Sequence, residues 1–483
     1  MRKGEDTMKK LFAIIISILL FTSCGADFPA DSTDNVFRKH EEAAEAAVRY
    51  AKKADNSTAS PQPNLYECDI CYSRGSIFDS NGMLLMYPSR DEQKSATRVM
   101  NKEYSLCLSN ILDDYSYGLD KRFESILIKP NKTPVDDNDT IGRSIQLTID
   151  ADIQKKIYGI LENEGIIGSV VVMGTDGGLI AEVSCPSYDR NRLYTEEDYI
   201  STLGHFAFGN RCISTASPGS CFKIMSEVIS DKNGIRSQTD DGCWAFDDTS
   251  IRNWDYNIYP GKYPVQRSLE QAFRNSSNVY FAKAFYKLGQ DTVEKDLRDI
   301  FLFSDDLAIE CDFCTLTNSL SIGSTDNLKR SAFGQANVRT SPMFLAALVR
   351  EAVYGEMVRP YVLKNVVNTN DVTDIMEDGS PKGEIIASIP QKYRKGIRNC
   401  MKLAGDDLIG SGAVIPKGYN LYAKTGTAEV GGGYYMYISS CIESDDNAYI
   451  IILQVQNTGD FDWSFASDMI PVYNKLSEVI TEG

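Results

Sequence analysis

The chain has 483 residues, too many for one small core, so two or more domains are expected. Its 67 acidic against 50 basic residues leave a net charge of -17, which argues against the clustered basic face that a nucleic-acid partner requires. With only two histidines, His40 and His205, a His-rich metal site cannot be built, and a Ser-His-Asp triad would have to use one of those two.

Residues 1–24 read as an export signal: Met8-Lys9-Lys10 opens it, and the apolar run at 11–21 is too short to span a bilayer comfortably. Phe21-Thr22-Ser23-Cys24 resembles the bacterial lipobox, whose cysteine is lipidated, although Phe21 stands where Leu is usual. Lipidation at Cys24 is favoured over an ordinary signal peptide or a retained anchor. Every version puts the mature protein outside the cytoplasm, and a lipid or a retained signal would anchor it at the extracytoplasmic face of the bacterial cell membrane. Residues 25–64 form a tether and helical linker: 25–36 are small and polar, 37–54 are an Ala-rich charged helix, and 55–64 are rich in Ser, Asn and Pro.

Residues 65–140 read as a small N-terminal module, with a hairpin-type turn at Asp79-Ser80-Asn81-Gly82 between apolar stretches. From 141 to 483 the pattern is mixed α/β. A strand at 144–150 precedes a helix that Asp150 could cap, and 168–174 and 178–184 read as two strands around a glycine turn. Near the end, strands at 419–427, 434–442 and 448–456 lead to a helix over 465–481. The twelve cysteines include two CxxC pairs, Cys68/Cys71 and Cys311/Cys314, with no histidine nearby. They read as scattered thiols or local disulfides rather than a shared zinc site, and once Cys24 is lipidated an odd number remains.

Three segments carry chemistry. After the turn Pro218-Gly219, residues 220–231 fit an amphipathic helix with Cys221, Phe222, Ile224, Met225, Val228 and Ile229 facing a core. Ser220 then lies in the first helical turn, with Lys223 one turn on along the same face. A helix N-terminus offers free N–H groups to an oxyanion, and a buried lysine can act as base. The plainer alternative is an N-cap serine and a lysine that snorkels to solvent. Ser276-Ser277-Asn278 again precedes a helix, with Val279, Ala282, Phe285 and Tyr286 as its expected core face. Such a hydroxyl and amide can relay a proton and hold a peptide, or simply cap the helix. Lys424-Thr425-Gly426-Thr427 lies on a strand, whose edge can bind an extended peptide while glycine allows close approach, or which is a plain surface strand.

The ordered set SxxK, SxN, KTG, separated by 56 and 148 residues, resembles the active-site motifs of the serine penicillin-recognising enzymes. The likeness extends to LTIDADIQ at 147–154, to 169–191, to SPGSCFK around Ser220 and to FGQANVRTSP at 333–342. RGSIFDSNG at 74–82 resembles the signature of class B penicillin-binding proteins. Departures are Cys221 where a small hydroxyl residue is usual, YYMYISSCIES after the KTG strand, and a short module at 65–140.

The resemblance implies an α/β (α+β) fold with an antiparallel sheet flanked by helices, and a small β-rich pedestal at 65–140 before a transpeptidase domain at 141–483. It implies a peptidoglycan D,D-transpeptidase that cross-links stem peptides ending in D-Ala-D-Ala and is acylated by β-lactams. Ser220 would be the nucleophile, Lys223 its base, and Ser276 the proton relay. Asn278 would hold the substrate amide and Lys223, while Lys424, Thr425 and Thr427 would bind the terminal carboxylate beside Gly426. No metal or organic cofactor is implied. A glycosyltransferase of the wall-synthesis machinery and the membrane, through the N-terminal anchor, are the implied partners. The competing readings are a D,D-carboxypeptidase and a non-catalytic β-lactam-binding scaffold; a β-lactamase is disfavoured by the lack of an ExxLN segment.

Overall fold

A computed structural model describes residues 74–482, apart from 89–97, 114–117, 132–140, 247–248, 380–381, 458–464 and the single positions 197, 205, 370 and 432. The expected export signal, Cys24, the linker helix, Cys68, Cys71 and both histidines lie outside the described residues.

Five strands form the central antiparallel sheet: β1 (Gly168–Gly174), β2 (Leu179–Cys185), β3 (Asn420–Val430), β4 (Gly433–Glu443) and β5 (Ala448–Asn457), in the order β3-β4-β5-β1-β2. Strand β5 reads AYIIILQVQN and β1 reads GSVVVMG, and both are buried almost throughout. Near-continuous β-branched runs of this kind suit a sheet covered on both faces. The principal helices are α1 (Ala151–Asn163), α2 (Lys223–Lys232), α3 (Asn278–Leu288), α4 (Pro342–Tyr354), α5 (Gln391–Gly410) and α6 (Ile470–Glu482). Two neighbouring residues of β4 show the layering. Ser440 meets the Tyr473 hydroxyl of α6 at 2.8 Å, whereas Cys441 meets the Tyr354 hydroxyl of α4. Successive side chains of a strand point to opposite faces, so α4 and α6 lie on opposite sides of the sheet. The α/β fold with an antiparallel sheet flanked by helices is the one expected from the sequence.

The helix ends follow local chemistry. Asp150 accepts from the Asp152 and Ile153 N–H groups and caps α1 as anticipated. Ser341 caps α4 ahead of Pro342, a residue that costs nothing at a position whose N–H is unpaired anyway.

A second sheet of six short strands runs in the order Asp371–Asp378, Leu363–Asn368, Ser144–Leu147, Ile77–Phe78, Leu84–Pro88, Arg98–Met100. It takes strands from both sides of residue 140, and Ile77–Phe78 runs parallel to Ser144–Leu147. The expected turn is present, with Asp79 Oδ1 accepting from the Asn81 and Met83 N–H groups. Buried Asp120 ties this region together, pairing with Arg74 and with buried Arg98, each at 2.6 Å.

Two sequence expectations are corrected. The segment after Pro218 opens as a 3-10 turn, Gly219–Phe222, and becomes α-helical only at Lys223, so Ser220 precedes the α-helix. Tyr286 does not face the core: it is 51% exposed and packs edge-on to Trp244. All nine described cysteines are free thiols, including Cys311 and Cys314 at the tip of a small hairpin. Among the described residues, no helix is long and apolar enough to cross a membrane.

Candidate active site

The three motif segments converge. The turn bearing Ser220 lies against β3, backbone to backbone. A Cβ on Gly426 would stand 2.7 Å from both Cys221 Sγ and Pro218 O, and one on Gly219 would stand 2.5 Å from Thr427 O. Glycine is required at both positions by lack of space, and at Gly219 also by a φ of +52°. Strand β3 is an edge of the sheet, so its outer backbone groups are open to an extended chain beside Ser220.

Lys223 is wholly buried, which removes the snorkelling alternative. Its Nζ lies 2.8 Å from Ser220 Oγ, 2.8 Å from Ser276 O, 3.1 Å from Ser276 Oγ and 2.7 Å from Asn278 Oδ1. Burial and the neighbouring Lys424 push the Lys223 ammonium well below the ordinary lysine range. A neutral amine has two N–H donors and one lone pair. Ser276 O is an acceptor only. Asn278 presents its oxygen to Lys223, because its Nδ2 donates to Arg252 O at 3.0 Å. Those two acceptors take both N–H groups and leave the lone pair for a hydroxyl proton.

Ser276 occupies a left-handed backbone conformation, φ +51°, rare for a residue with a side chain. That conformation brings both its carbonyl and its hydroxyl to Lys223. The capping role falls instead to Ser277, whose Oγ accepts from Tyr280 N at 3.0 Å. Lys424 is also buried, donates to Ser276 Oγ at 3.1 Å, and is held by Thr425 O at 2.9 Å. Desolvation lowers its ammonium to about 8. Cys221 fills the seam between turn and strand: Ser439 Oγ donates to its sulfur at 3.3 Å, and burial raises its thiol to about 11. Thr425 and Thr427 are half-buried on β3, and among the described residues no side-chain hydrogen bond joins them to the Ser220 cluster.

Sequence reading missed Asn253 and Trp254, which reach the Ser276-Ser277-Asn278 turn. Trp254 is 54% exposed, donates its indole N–H to Asn275 O at 3.2 Å, and meets exposed Phe465 edge-on. Asn253 reaches the backbone of α3 from 25 residues upstream. No periodicity marks either residue.

Residues 168–472 match the penicillin binding protein transpeptidase domain. The chain belongs to the penicillin-binding protein transpeptidase family. Penicillin-binding protein 3 of Bacillus subtilis is 27% identical over 308 residues, covering 60% of this chain and 43% of the relative. The peptidoglycan D,D-transpeptidase PbpA of Mycolicibacterium smegmatis is 26% identical over 345 residues, covering 67% of this chain and 69% of the relative. This penicillin-binding protein thus spans less than half the length of the first of these relatives. Its fold matches penicillin-binding protein A of M. tuberculosis, solved as the penicillin G acyl-enzyme complex, with a TM-score of 0.70 at 20% identity, over 85% of this chain and all of that one.

Proposed function

We propose that the chain is a peptidoglycan D,D-transpeptidase of the class B type that works through a Ser220 acyl-enzyme and is acylated by β-lactams. One observation carries the reading: Lys223 Nζ is buried and lies 2.8 Å from Ser220 Oγ, with two pure acceptors, Ser276 O and Asn278 Oδ1, beside it to take its N–H groups when it is the neutral base. The names of the relatives support the same reaction.

In the proposed reaction Ser220 Oγ attacks the carbonyl carbon between two terminal D-alanines while its proton passes to Lys223. The N–H groups of Ser220 and Thr427 face the developing oxyanion. Collapse breaks the C–N bond, Ser276 delivers its proton to the leaving amine and takes in exchange the one held by Lys223, 3.1 Å away, and an ester on Ser220 remains. The amine of a neighbouring stem peptide then attacks that ester, restoring the Ser220 hydroxyl and forming the cross-link. Lys424, Thr425 and Thr427 hold the terminal carboxylate, and Asn278 orients both the substrate amide and Lys223. A β-lactam presents the same carbonyl and carboxylate, but its leaving amine stays tethered.

The proposal includes an N-terminal anchor at Cys24 that holds the pedestal (65–140) and transpeptidase domain (141–483) at the extracytoplasmic face of the cell membrane, beside a glycosyltransferase. The basic-apolar-Cys pattern of residues 8–24 supports it. Fluorescent penicillin tests the central claim. Wild type should retain covalent label through denaturing electrophoresis, and Ser220→Ala, folded to the same melting temperature, should carry none. Label persisting on that variant means another nucleophile.

A further inference from the structure

Behind the Ser276-Ser277-Asn278 turn lies a buried polar assembly that no proposed step uses. Asp240 ends the strand Ser237–Asp240 and is wholly buried. Its Oδ2 accepts from Arg267 Nε at 2.8 Å, Ser277 Oγ at 2.8 Å and Asn253 Nδ2 at 3.0 Å. Its Oδ1 accepts from Gly242 N and Asn253 Nδ2, both at 2.9 Å. A carboxylate only accepts, so Asn253 must turn its NH2 toward Asp240 and its oxygen away. That oxygen accepts from Asn278 N at 2.8 Å and Val279 N at 3.0 Å. With Ser277 capping Tyr280 N, the first three N–H groups of α3 are satisfied, two of them by a side chain whose orientation Asp240 dictates. The adjacent carbonyl of Arg252 takes Asn278 Nδ2, which turns Asn278 Oδ1 to Lys223.

We propose that Asp240 is a positioning residue for the Ser220 proton transfer: through Asn253 and Ser277 it fixes the turn that presents Ser276 and Asn278 to Lys223. The proposal rests on the transpeptidase reading above. The charges around Lys223 add a second handle. Lys424 of β3 opposes its protonation and Asp240 from behind favours it, while Cys221 of its own turn, held neutral by burial, adds no charge between pH 5 and 9. Around Asp240 itself stand Arg267, with Tyr263 beyond Asn253.

The test is the second-order acylation constant for fluorescent penicillin across pH 5–9, with melting temperatures measured alongside. Asp240→Asn removes the demand that fixes the Asn253 amide, and a misplacement of about 1 Å in such a site costs on the order of 100-fold in rate. The loss should fall in the acylation step rather than in binding. Its ascending limb should also move to lower pH, because a carboxylate that favours charged Lys223 is gone. Arg267→Met leaves that carboxylate without its cation and should move the same limb to higher pH. A merely structural role lowers the rate or the melting temperature but leaves the limb where wild type has it. Unshifted limbs in both folded variants, or a wild-type rate in Asp240→Asn, overturn the proposal. If Asp240→Asn does not fold, Arg267→Met alone decides it, since Ser277 and Asn253 keep their carboxylate. A wild type that takes no label overturns the transpeptidase reading as well; a labelled wild type confines any failure to the positioning role.

Discussion

On the proposed mechanism Lys424 should set the alkaline side of the pH profile. An exposed lysine holds its proton to about 10.4, but burial brings Lys424 down to about 8. Its proposed task, attracting a carboxylate, needs the charged form. The second-order acylation constant reports groups of the free enzyme, before the ligand's own charge can pull the proton back. As pH rises through about 8 the ammonium is lost, so the rate should fall in that direction. For a single site the charged fraction drops from roughly 90% at pH 7 to roughly 10% at pH 9, about a tenfold decline. Lys223 does not produce this decline: burial and Lys424 push its ammonium well down, and losing that proton generates the base, so its titration raises the rate rather than lowering it. Stopped-flow or timed-gel kinetics with fluorescent penicillin from pH 6.5 to 10.5 would trace the limb. Lys424→Arg supplies the control: a guanidinium stays charged, so the decline between pH 7 and 9 should disappear even if the changed geometry slows the reaction throughout. A wild-type rate that stays level up to pH 10, or an unchanged alkaline limb in Lys424→Arg, would refute the assignment.

Other outcomes can be checked with the same probe. Lys223→Met keeps the volume of a buried chain but supplies no base, and acylation should fall by on the order of 100-fold to 10,000-fold with folding intact by circular dichroism. Gly426→Ala drives a methyl group into Cys221 Sγ and Pro218 O, both 2.7 Å away. It should cost about 1–3 kcal/mol in thermal unfolding and lose label disproportionately, because the strand must part from the Ser220 turn. Asp120→Ala strands buried Arg98 and partly buried Arg74, so destabilisation of about 3–5 kcal/mol is expected by denaturant titration, with acylation per folded molecule little changed.

Sequence alone carried the strands and helices whose periodicity is strong. Strands β3, β4 and β5 and the cap at Asp150 lie close to where the pattern put them, because each depends on neighbours within a few residues. Convergence of Ser220, Ser276, Asn278 and Lys424 was legible only through the ordered motifs, since the segments lie far apart along the chain. What depends on distant partners was not legible. The 3-10 turn at Gly219 is dictated by contact with β3 and with Gly334 rather than by local propensity. Tyr286 fits a helical stripe yet faces outward, where the ring of Trp244 meets its edge. Strands from 363–378 join the N-terminal sheet by a pairing that spans more than 200 residues. Asn253 caps a helix in whose sequence nothing asks for it.

The crossing of three chains at Gly219 has an evolutionary consequence. Gly219 N–H donates to Gly334 O at 3.2 Å, a methyl on Gly334 would stand 2.1 Å from Gly219 O, and the far side of Gly219 abuts Thr427 O. No side chain of any size fits at this junction, so under the proposed acylation by β-lactams selection for escape would have almost no variation to work with there. Tolerance has to be bought at the rim, where Trp254 and Phe465 can be exchanged without prising the three main chains apart.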